Sequence, residues 1–402
     1  MRSQRGPRSR RGAIALVVIA IVWLGTGLEL EGFLNRVDPV RLEPVSSRAR
    51  TLHETALVAD LHADSMLFER DLLERGRHGH VDLPRLREGG VGLQVFAVPT
   101  VVPRGANIER TERGVLDMIT LAGVAQLSRM AWLDPTGRAL HRADQLRRMV
   151  RRSDGSLLWI DDRGDLERLL EMRSKGRTVT GVLLAIEGAH AMESDPRGLQ
   201  TLFEAGYRMI GLAHFFDNDY AGSAHGVERG GLTELGRRTI AEMESRGMVV
   251  DLAHLSPTAV EEVLDMTTKP TVFSHGGVRG TCDNARNLSD DQIRRIAAGG
   301  GVIGIGYWEI AVCGLTPTDV ARAIVYVADL VGPDHVALGS DYDGAVTVGF
   351  DTTALPAVTQ ALLDAGLGEG ETRGVLGGNV LRVLLQTLPE RSGAGRGQEG
   401  TR

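Results

Sequence analysis

Short apolar runs rich in strand-forming residues alternate with segments of helical periodicity along most of this chain. The segment 235–246 is a predicted helix with Leu235, Thr239, Ile240 and Met243 on one face, and Asp290–Ala298 is a second predicted helix. The eight apolar runs are Ala56–Leu61, Gly92–Val98, Gly181–Ile186, Met209–Ala213, Met248–Leu252, Thr271–Ser274, Val302–Gly306 and His335–Gly339. Strands and helices in this alternation favour a TIM-like (β/α)8 barrel with insertions; the alternative is a doubly wound open sheet.

Polar side chains of metal-binding types stand at the carboxyl ends of most of these runs. They are His62 and Asp64 after the first run, Glu187 after the third, His214 after the fourth, His254 after the fifth, His275 after the sixth and Asp341 after the eighth. Barrel enzymes gather their chemistry at this end of the strands. An open sheet would not bring all of these residues to one point, so the polar positions favour the closed barrel.

The predicted metal site begins with His62 and Asp64, which stand two residues apart and would share one face of a strand. Imidazole nitrogen and carboxylate oxygen are suitable zinc ligands. In the predicted division, His62 and Asp64 bind one ion, His254 and His275 bind the other, and Glu187 bridges them. Two ions held in this way deprotonate a bridging water, and the resulting hydroxide is the nucleophile. This set contains no thiol ligand, which indicates a catalytic rather than a structural site.

The alternative to a metal site is a structural role for each histidine. The chain has 11 histidines, and a single histidine at a strand end is more often a hydrogen-bonded core or surface residue than a ligand. The repetition of the same position on several strands is what indicates a metal site. The remaining histidines of the loops are expected not to be ligands: His78, His80, His190 and His225.

Two further residues are candidates for handling the substrate. A carboxylate at the position of Asp341 can pass a proton from the attacking water to a leaving amine, although a weak metal ligand or a helix N-cap are alternatives. Arg286 can hold a substrate carboxylate with two parallel hydrogen bonds. Arginine is frequent in this chain, so composition alone does not decide the role of Arg286.

The two ends of the chain differ in composition from the predicted barrel domain, residues 51–388. Residues 1–12 are basic and expected to be cytoplasmic, and the apolar residues 13–28 form either an uncleaved signal anchor or a cleaved signal peptide. The anchor is favoured, and either alternative places the barrel outside the cytoplasm. Residues 29–50 are a predicted linker with an initial helix, and residues 389–402 a predicted disordered tail.

Net charge indicates which binding partners to expect, and the cysteines bear on the cellular compartment. The formal net charge is −6, and residues 1–12 hold five arginines and no acid, so the rest of the chain is five units more negative. A nucleic-acid partner is therefore not expected, because such a face needs a surplus of lysine and arginine. Cys282 and Cys313 would be buried thiols in a cytosolic protein, whereas export would permit a disulfide.

Eight segments in this order resemble the membrane dipeptidase (renal dipeptidase) family of zinc metallopeptidases, over about Leu57–Leu384. The segments are DLHADS, IEGAH, GLAHFFDN, GLTELGRR, VVDLAHLS, VFSHGGVRGTCDNARN, ALGSDYDG and LGGNVLRV. The resemblance implies a barrel of the metal-dependent hydrolase type with two zinc ions, acting on dipeptides.

The resemblance also implies a role for each matched residue. The five ligands His62, Asp64, Glu187, His254 and His275 divide between the two zinc ions as described above. His214 would contact the substrate carbonyl and steady the oxyanion, Arg286 would hold the C-terminal carboxylate, and Asp341 would handle the proton. Cys282 and Cys313 lie where some family members form a disulfide, which favours the bonded form.

The chain also departs from the mammalian pattern. Leu61 stands where those members have glycine, and Phe215 and Phe216 replace small polar residues after His214. The ligands survive these changes, but the side-chain specificity is open. Mammalian members carry a lipid anchor at the C-terminus, whereas this chain has no hydrophobic C-terminal tail, so any membrane attachment is expected through the N-terminal segment.

The sequence therefore predicts an anchored or exported binuclear zinc dipeptidase. One rival is another amide hydrolase on the same scaffold, acting on a β-lactam, an N-acyl amino acid or a D-residue dipeptide from the cell wall. The other rival is a membrane-anchored binding protein without activity, for which a degraded ligand set is expected. Whether the chain forms a homodimer is left open.

Overall fold

The structure, a computed structural model, describes residues 31–390 except for 115, 126, 127 and 196. The predicted cytoplasmic segment 1–12, the apolar segment 13–28 and residues 391–402 of the predicted tail lie outside the described residues. Among the residues that are described, no helix has both the length and the apolar character needed to cross a membrane.

The described residues contain nine parallel strands, and eight of them form a closed barrel. The strands are β1 Val58–Ala63, β2 Val91–Pro99, β3 Leu157–Trp159, β4 Thr180–Glu187, β5 Tyr207–Gly211, β6 Val249–Asp251, β7 Val272–Phe273, β8 Val302–Ile305 and β9 Val336–Leu338. The ring runs from β1 through β9, β8, β7, β6, β5 and β4 to β2, which pairs again with β1. The predicted barrel is confirmed, and the open-sheet alternative is wrong.

One strand was not predicted from the sequence. The short β3 pairs in parallel with the first residues of β4, from Leu157 opposite Thr180 to Trp159 opposite Val182, and is not one of the eight ring strands. The apolar run Leu157–Ile160 marks β3 in the sequence, but a run this short does not by itself distinguish a strand from a turn of helix. Each of the eight predicted runs overlaps one strand of the ring.

Helices connect the strands and cover the barrel. They are α1 Ser47–Thr55, α2 Leu83–Glu88, α3 Met118–Ala125, α4 Pro135–Arg152, α5 Arg163–Ser174, α6 Gly198–Glu204, α7 Glu234–Arg246, α8 Pro257–Met266, α9 Asp290–Ala298, α10 Glu309–Val312, α11 Pro317–Val331, α12 Leu355–Asp364, α13 Glu369–Arg373 and α14 Asn379–Thr387. Helix α9 has the predicted bounds and begins with a capping box between Ser289 and Gln292. Helix α7 buries the predicted face, including Ile240 and Met243.

Both faces of the strands are buried, as a parallel sheet covered by helices requires. In β2, Leu93, Val95 and Ala97 belong to one apolar cluster, whereas Phe96 and Val98 belong to another. The alternation follows from the period of two in a strand. The barrel interior and the layer between barrel and helices are therefore both packed with side chains, which makes the strand ends a rigid support.

The segment before the barrel contacts the loop that follows β9. Val37 forms a parallel bridge with Val348, and the Asp38 N–H donates to the carbonyl of Val348 at 2.8 Å. Helix α1 begins at Ser47, inside the predicted linker. Part of the predicted linker, residues 29–50, therefore pairs with the barrel domain near the carboxyl ends of the strands.

Cys282 and Cys313 form a disulfide, with their Cα atoms 5.3 Å apart. It joins the loop after β7 to the end of the short helix α10 after β8. The bonded form favoured by the family resemblance is thereby confirmed.

We expect loss of this disulfide to lower the free energy of unfolding by roughly 3 kcal/mol, because the bond closes a loop of about 30 residues in the unfolded chain. Urea unfolding of the wild type and of the Cys282→Ala/Cys313→Ala variant, each with and without reductant, measures this. Reductant should destabilise only the wild type. Equal stability of the wild type and the variant in the absence of reductant would contradict the prediction.

Candidate metal centre

The predicted ligands all reach the carboxyl end of the barrel, from four strands or the residues just after them: β1, β4, β6 and β7. His62 lies within β1, and Asp64 follows that strand with a non-extended backbone, φ −92° and ψ 23°. Glu187 is the last residue of β4. The same-face expectation for His62 and Asp64 is therefore only partly right, because the strand ends between them. Their side chains still converge, with His62 Nε2 3.4 Å from Asp64 Oδ1.

Glu187 lies at the centre of the cluster. Its Oε1 is 2.8 Å from His254 Nε2, 3.3 Å from His275 Nε2 and 3.8 Å from His62 Nε2. Its Oε2 is 3.5 Å from His214 Nε2. One buried carboxylate thus faces four imidazoles, as a carboxylate shared between two metal ions does.

Three groups of side chains are close enough to hold an ion. They are His62 with Glu187 and His275, Glu187 with His214 and His254, and His62 with Asp64 and Asp341. Residues recur between the groups, so the atoms form one continuous cluster. His214 and Asp341, predicted to act on the substrate, lie within this cluster together with the predicted ligands.

Two of the candidate ligand atoms make no hydrogen bond. His62 Nε2 and Asp64 Oδ1 are buried and are in contact with each other at 3.4 Å, but neither has a hydrogen-bond partner among the described residues. Unpaired buried polar atoms are costly and therefore rare. A divalent cation bound to imidazole nitrogen and carboxylate oxygen would satisfy both atoms.

Two of the cluster residues have unusual backbone geometry. His254 and Asp341 have positive φ angles of 63° and 60°. Side chains other than glycine rarely adopt this left-handed region, and such strain is concentrated at functional sites. The surrounding structure therefore holds both residues in place against a local preference.

Three buried carboxylates make the cluster strongly attractive to positive charge. Burial opposes the charged form of His62, but Asp64 and Glu187 outweigh it and raise the pKa of His62 to about 10. Burial, only partly opposed by His62 and reinforced by Asp64 and Glu187, raises the pKa of Asp341 well above its ordinary value. A cation of charge two would relieve this repulsion more completely than one proton.

Two of the imidazoles are held neutral, which is the form that binds metal. Burial, followed by the positive charge of Arg286, lowers the pKa of His254 well below its ordinary value. Burial, followed by His62, does the same for His275. Their Nε2 atoms lie 3.0 Å apart. Both nitrogens point at the same region and can offer lone pairs there.

His225, expected not to be a ligand, lies behind His254 and orients it. His225 Nδ1 is 2.9 Å from the carbonyl of Ile108, which can only accept, so His225 Nδ1 donates and its Nε2 is an acceptor. That Nε2 lies 3.0 Å from His254 Nδ1, which must then carry the proton. The Nε2 of His254 is left free for a metal ion. Nothing in the spacing of His225 signals this role; the fold of its loop decides it.

A similar arrangement lies behind His275. The Ser274 hydroxyl donates to Asp251 Oδ2 at 2.6 Å and lies 2.9 Å from His275 Nδ1, from which it can accept. The same hydroxyl is 3.4 Å from His62 Nδ1. A Cβ at Gly339 would lie 1.9 Å from the carbonyl oxygen of Ser274, so only glycine permits this approach. No sequence pattern marks Asp251 or Ser274 as residues that support the ligands.

Arg286 lies beside these ligands as a buried cation. Its Nη2 donates to the carbonyl of His275 at 2.9 Å and is 3.4 Å from His254 Nε2. Among the described residues, no carboxylate lies within ion-pair distance of its guanidinium. A buried arginine without an acidic partner is expected to bind an anionic group of a ligand.

The cluster opens into a cavity of about 1220 Å³. Glu187, His214, His254, His275 and Arg286 contribute to its wall. Asp341 also lines it. The metal cluster, the buried arginine and the candidate proton carrier therefore face one space that a substrate can enter.

We expect His225→Leu to weaken zinc binding about 10- to 100-fold, because His254 loses the acceptor that sets its tautomer. Competition with a chromophoric chelator measures the affinity. His225→Asn should restore part of it through the amide oxygen. His335→Leu removes a histidine bonded to the Gly301 carbonyl and is the matched control. Unchanged affinity in His225→Leu would show that His225 does not position the ligand.

Comparison with known proteins places these observations in a family. A family model described as membrane dipeptidase (peptidase family M19) matches residues 46–392. Dipeptidase aclJ of Aspergillus oryzae is 33% identical over 317 residues, which are 76% of this chain and 70% of that protein. Dipeptidase 3 of Rattus norvegicus is 31% identical over 217 residues, covering 51% of this chain and 44% of that protein.

Solved structures show the same fold. The probable dipeptidase PvdM of Pseudomonas aeruginosa has a TM-score of 0.69 at 20% identity, covering 85% of this chain and 97% of that one. A metallopeptidase of Rhodobacter sphaeroides, solved with a phosphinate mimic of L-Ala-D-Ala, has a TM-score of 0.67 at 24% identity, covering 83% and 99%. Because the family match spans most of the chain, the chain belongs to the membrane dipeptidase family, peptidase family M19, and is a metal-dependent dipeptidase.

Proposed function

We propose that the chain hydrolyses free dipeptides with two zinc ions held by His62, Asp64, Glu187, His254 and His275. The observation that carries this proposal is the position of Glu187. Its Oε1 faces the imidazoles of His62, His254 and His275, at Nε2 distances from 2.8 to 3.8 Å. When bound, the two zinc ions would supply Lewis acidity towards the peptide carbonyl and an activated water.

Arg286 selects and orients the substrate in this proposal. Its guanidinium would bind the C-terminal carboxylate of the dipeptide, and its burial makes that charge-assisted contact strong. The metal cluster is then one residue away along the substrate, at the peptide bond. The distance of 3.4 Å between Arg286 Nη2 and His254 Nε2 supports this placement of the substrate.

His214 and Asp341 act on the reacting atoms. His214 lines the cavity next to Glu187 and would donate an N–H to the carbonyl oxygen as negative charge develops there. Asp341 Oδ1 lies 3.9 Å from His62 Nε2 on the opposite part of the cluster. It would take a proton from the attacking water and give it to the leaving amine nitrogen.

We expect the zinc-loaded chain to cleave dipeptides with a free C-terminal carboxylate, and to cleave C-terminally amidated ones poorly. A panel including L-L, L-D and N-blocked dipeptides, assayed with and without chelator, tests this. The panel includes L-Ala-D-Ala because the Rhodobacter sphaeroides relative binds a mimic of it. Glu187→Gln should be inactive, because the central carboxylate loses its charge.

Arg286→Met should lower kcat/KM for free dipeptides about 10- to 100-fold, the value of a charge-assisted hydrogen bond, and should no longer distinguish free from amidated substrates. Arg279→Met, on the same loop but exposed, is the matched control. Metal binding without cleavage of any dipeptide would exclude dipeptide hydrolysis and direct the search to β-lactams or N-acyl amino acids.

We propose further that the barrel lies outside the cytoplasm, attached through residues 13–28. The basic residues 1–12 and the apolar residues 13–28 support this orientation. The Cys282–Cys313 disulfide supports an oxidising compartment independently. Alkaline carbonate extraction should leave the full chain in the membrane fraction; its quantitative release would contradict the anchor.

A further inference from the structure

The cavity over the metal cluster is larger and more apolar than a small dipeptide needs. Its volume, about 1220 Å³, exceeds the roughly 300–1000 Å³ typical of sites for drug-sized ligands. Beyond the metal cluster its wall consists largely of apolar side chains, such as Leu34, Leu67, Val102, Ile119 and Met130. A substrate with small side chains would leave most of this apolar wall in contact with water.

Two aromatic side chains flank the ligand imidazoles from separate loops. The ring of Phe215 lies 4.4 Å from that of His214 and 5.6 Å from that of His254, between centroids. The ring of Trp308 lies 6.2 Å from that of His275. Both aromatic residues line the cavity. The bond to be cleaved would therefore be bordered by apolar aromatic surface.

The rim of the cavity is apolar as well. Leu116, Met118, Leu121 and Ile310 line the cavity, and each is between 37% and 41% exposed. Large apolar side chains that converge on one opening and remain half in water mark a surface that a ligand covers. An apolar group of the substrate would bury these side chains and gain affinity in proportion to the area removed from water.

The position of Arg286 indicates which half of the substrate reaches this apolar space. A second cavity that borders Arg286 has a volume of only about 10 Å³, so the chain closes around the guanidinium on that side. A dipeptide whose carboxylate binds Arg286 must extend from there across the metal cluster. Arg286 itself lies in the wall of the large cavity, so the C-terminal residue stays at that wall and the N-terminal residue, on the far side of the peptide bond, reaches further into the cavity.

We infer that the site prefers dipeptides whose N-terminal residue carries a bulky apolar side chain, with Phe215 and Trp308 as specificity-determining residues. This inference rests on the dipeptidase activity and the Arg286 contact proposed above. It adds the class of side chain and its place in the substrate.

The test is a panel of Xaa-Ala dipeptides, with Ala, Leu, Phe and Trp as the N-terminal residue, and the reversed dipeptide Ala-Phe. The full chain is assayed with zinc. The value of kcat/KM should rise about tenfold or more from Ala-Ala to Phe-Ala, and less for Ala-Phe. A flat or falling order across Xaa-Ala would overturn the inference while leaving dipeptide hydrolysis intact. No cleavage of any member, Ala-Ala included, would overturn the proposed function and this inference with it.

Substitutions in the cavity wall test whether that wall causes the substrate preference. The readout is the ratio of kcat/KM for Phe-Ala to that for Ala-Ala, which a general loss of active protein does not change. The ratio should fall about fivefold or more, towards one, in Phe215→Ser, as expected for a lost apolar contact. It should also fall in Leu116→Ser, whose exposed position at the rim does not put folding at risk.

Leu140→Ser is the matched control for the rim variant. Leu140 is 39% exposed, close to the 41% of Leu116, but lies on α4 and is not part of the cavity wall. Its ratio should equal that of the wild type. Wild-type ratios in both Phe215→Ser and Leu116→Ser would remove the assignment to this cavity wall. An equal fall in Leu140→Ser would do the same.

Discussion

A concentration of negative charge inside the barrel mouth is the constraint on which the rest of the site depends. Asp64, Glu187 and Asp341 are all buried within one cluster. Ionised groups removed from water are very costly unless they are paired or bind a metal. The chain supplies part of the compensation through the buried Arg286 and through His62, whose pKa rises to about 10. The negative charge that remains favours a bound cation, and the neutral imidazoles around it are suitable ligands.

An imidazole can bind a metal ion only if its free lone pair points at the ion. Hydrogen bonds to the opposite ring nitrogen, Nδ1, fix that direction in His254 and His275. Ile108 sets the tautomer of His225, which in turn sets that of His254. Asp251 fixes the hydroxyl of Ser274, which faces His275. The loop after β2 is therefore tied to the metal centre through Ile108. The same loop contributes to the wall of the substrate cavity, so ligand geometry and substrate space are built by shared elements.

Much of the fold and the centre of the site could be predicted from the sequence, because period and position carry that information. Each predicted run overlaps a strand of the ring, and Glu187 ends its strand as expected. The short β3 was missed because its apolar run, Leu157–Ile160, does not by itself distinguish a strand from a turn of helix. The roles of His225 and Asp251 were missed because their partners stand 29 and 23 residues away along the chain. No local pattern records such contacts.

The sequence by itself determined the barrel and the set of residues at its mouth, since parallel strands place their carboxyl ends together whatever the details of the loops. Tertiary structure alone decided how those residues combine. It placed Glu187 between four imidazoles and brought His214 and Asp341 into the same cluster. It also fixed the tautomer of His254 through a hydrogen bond with His225. It also shaped a large apolar cavity from loops distant in sequence. The physical reason is that distances, burial and unpaired atoms exist only once the chain is packed. Periodicity, by contrast, can be read from the order of the residues alone.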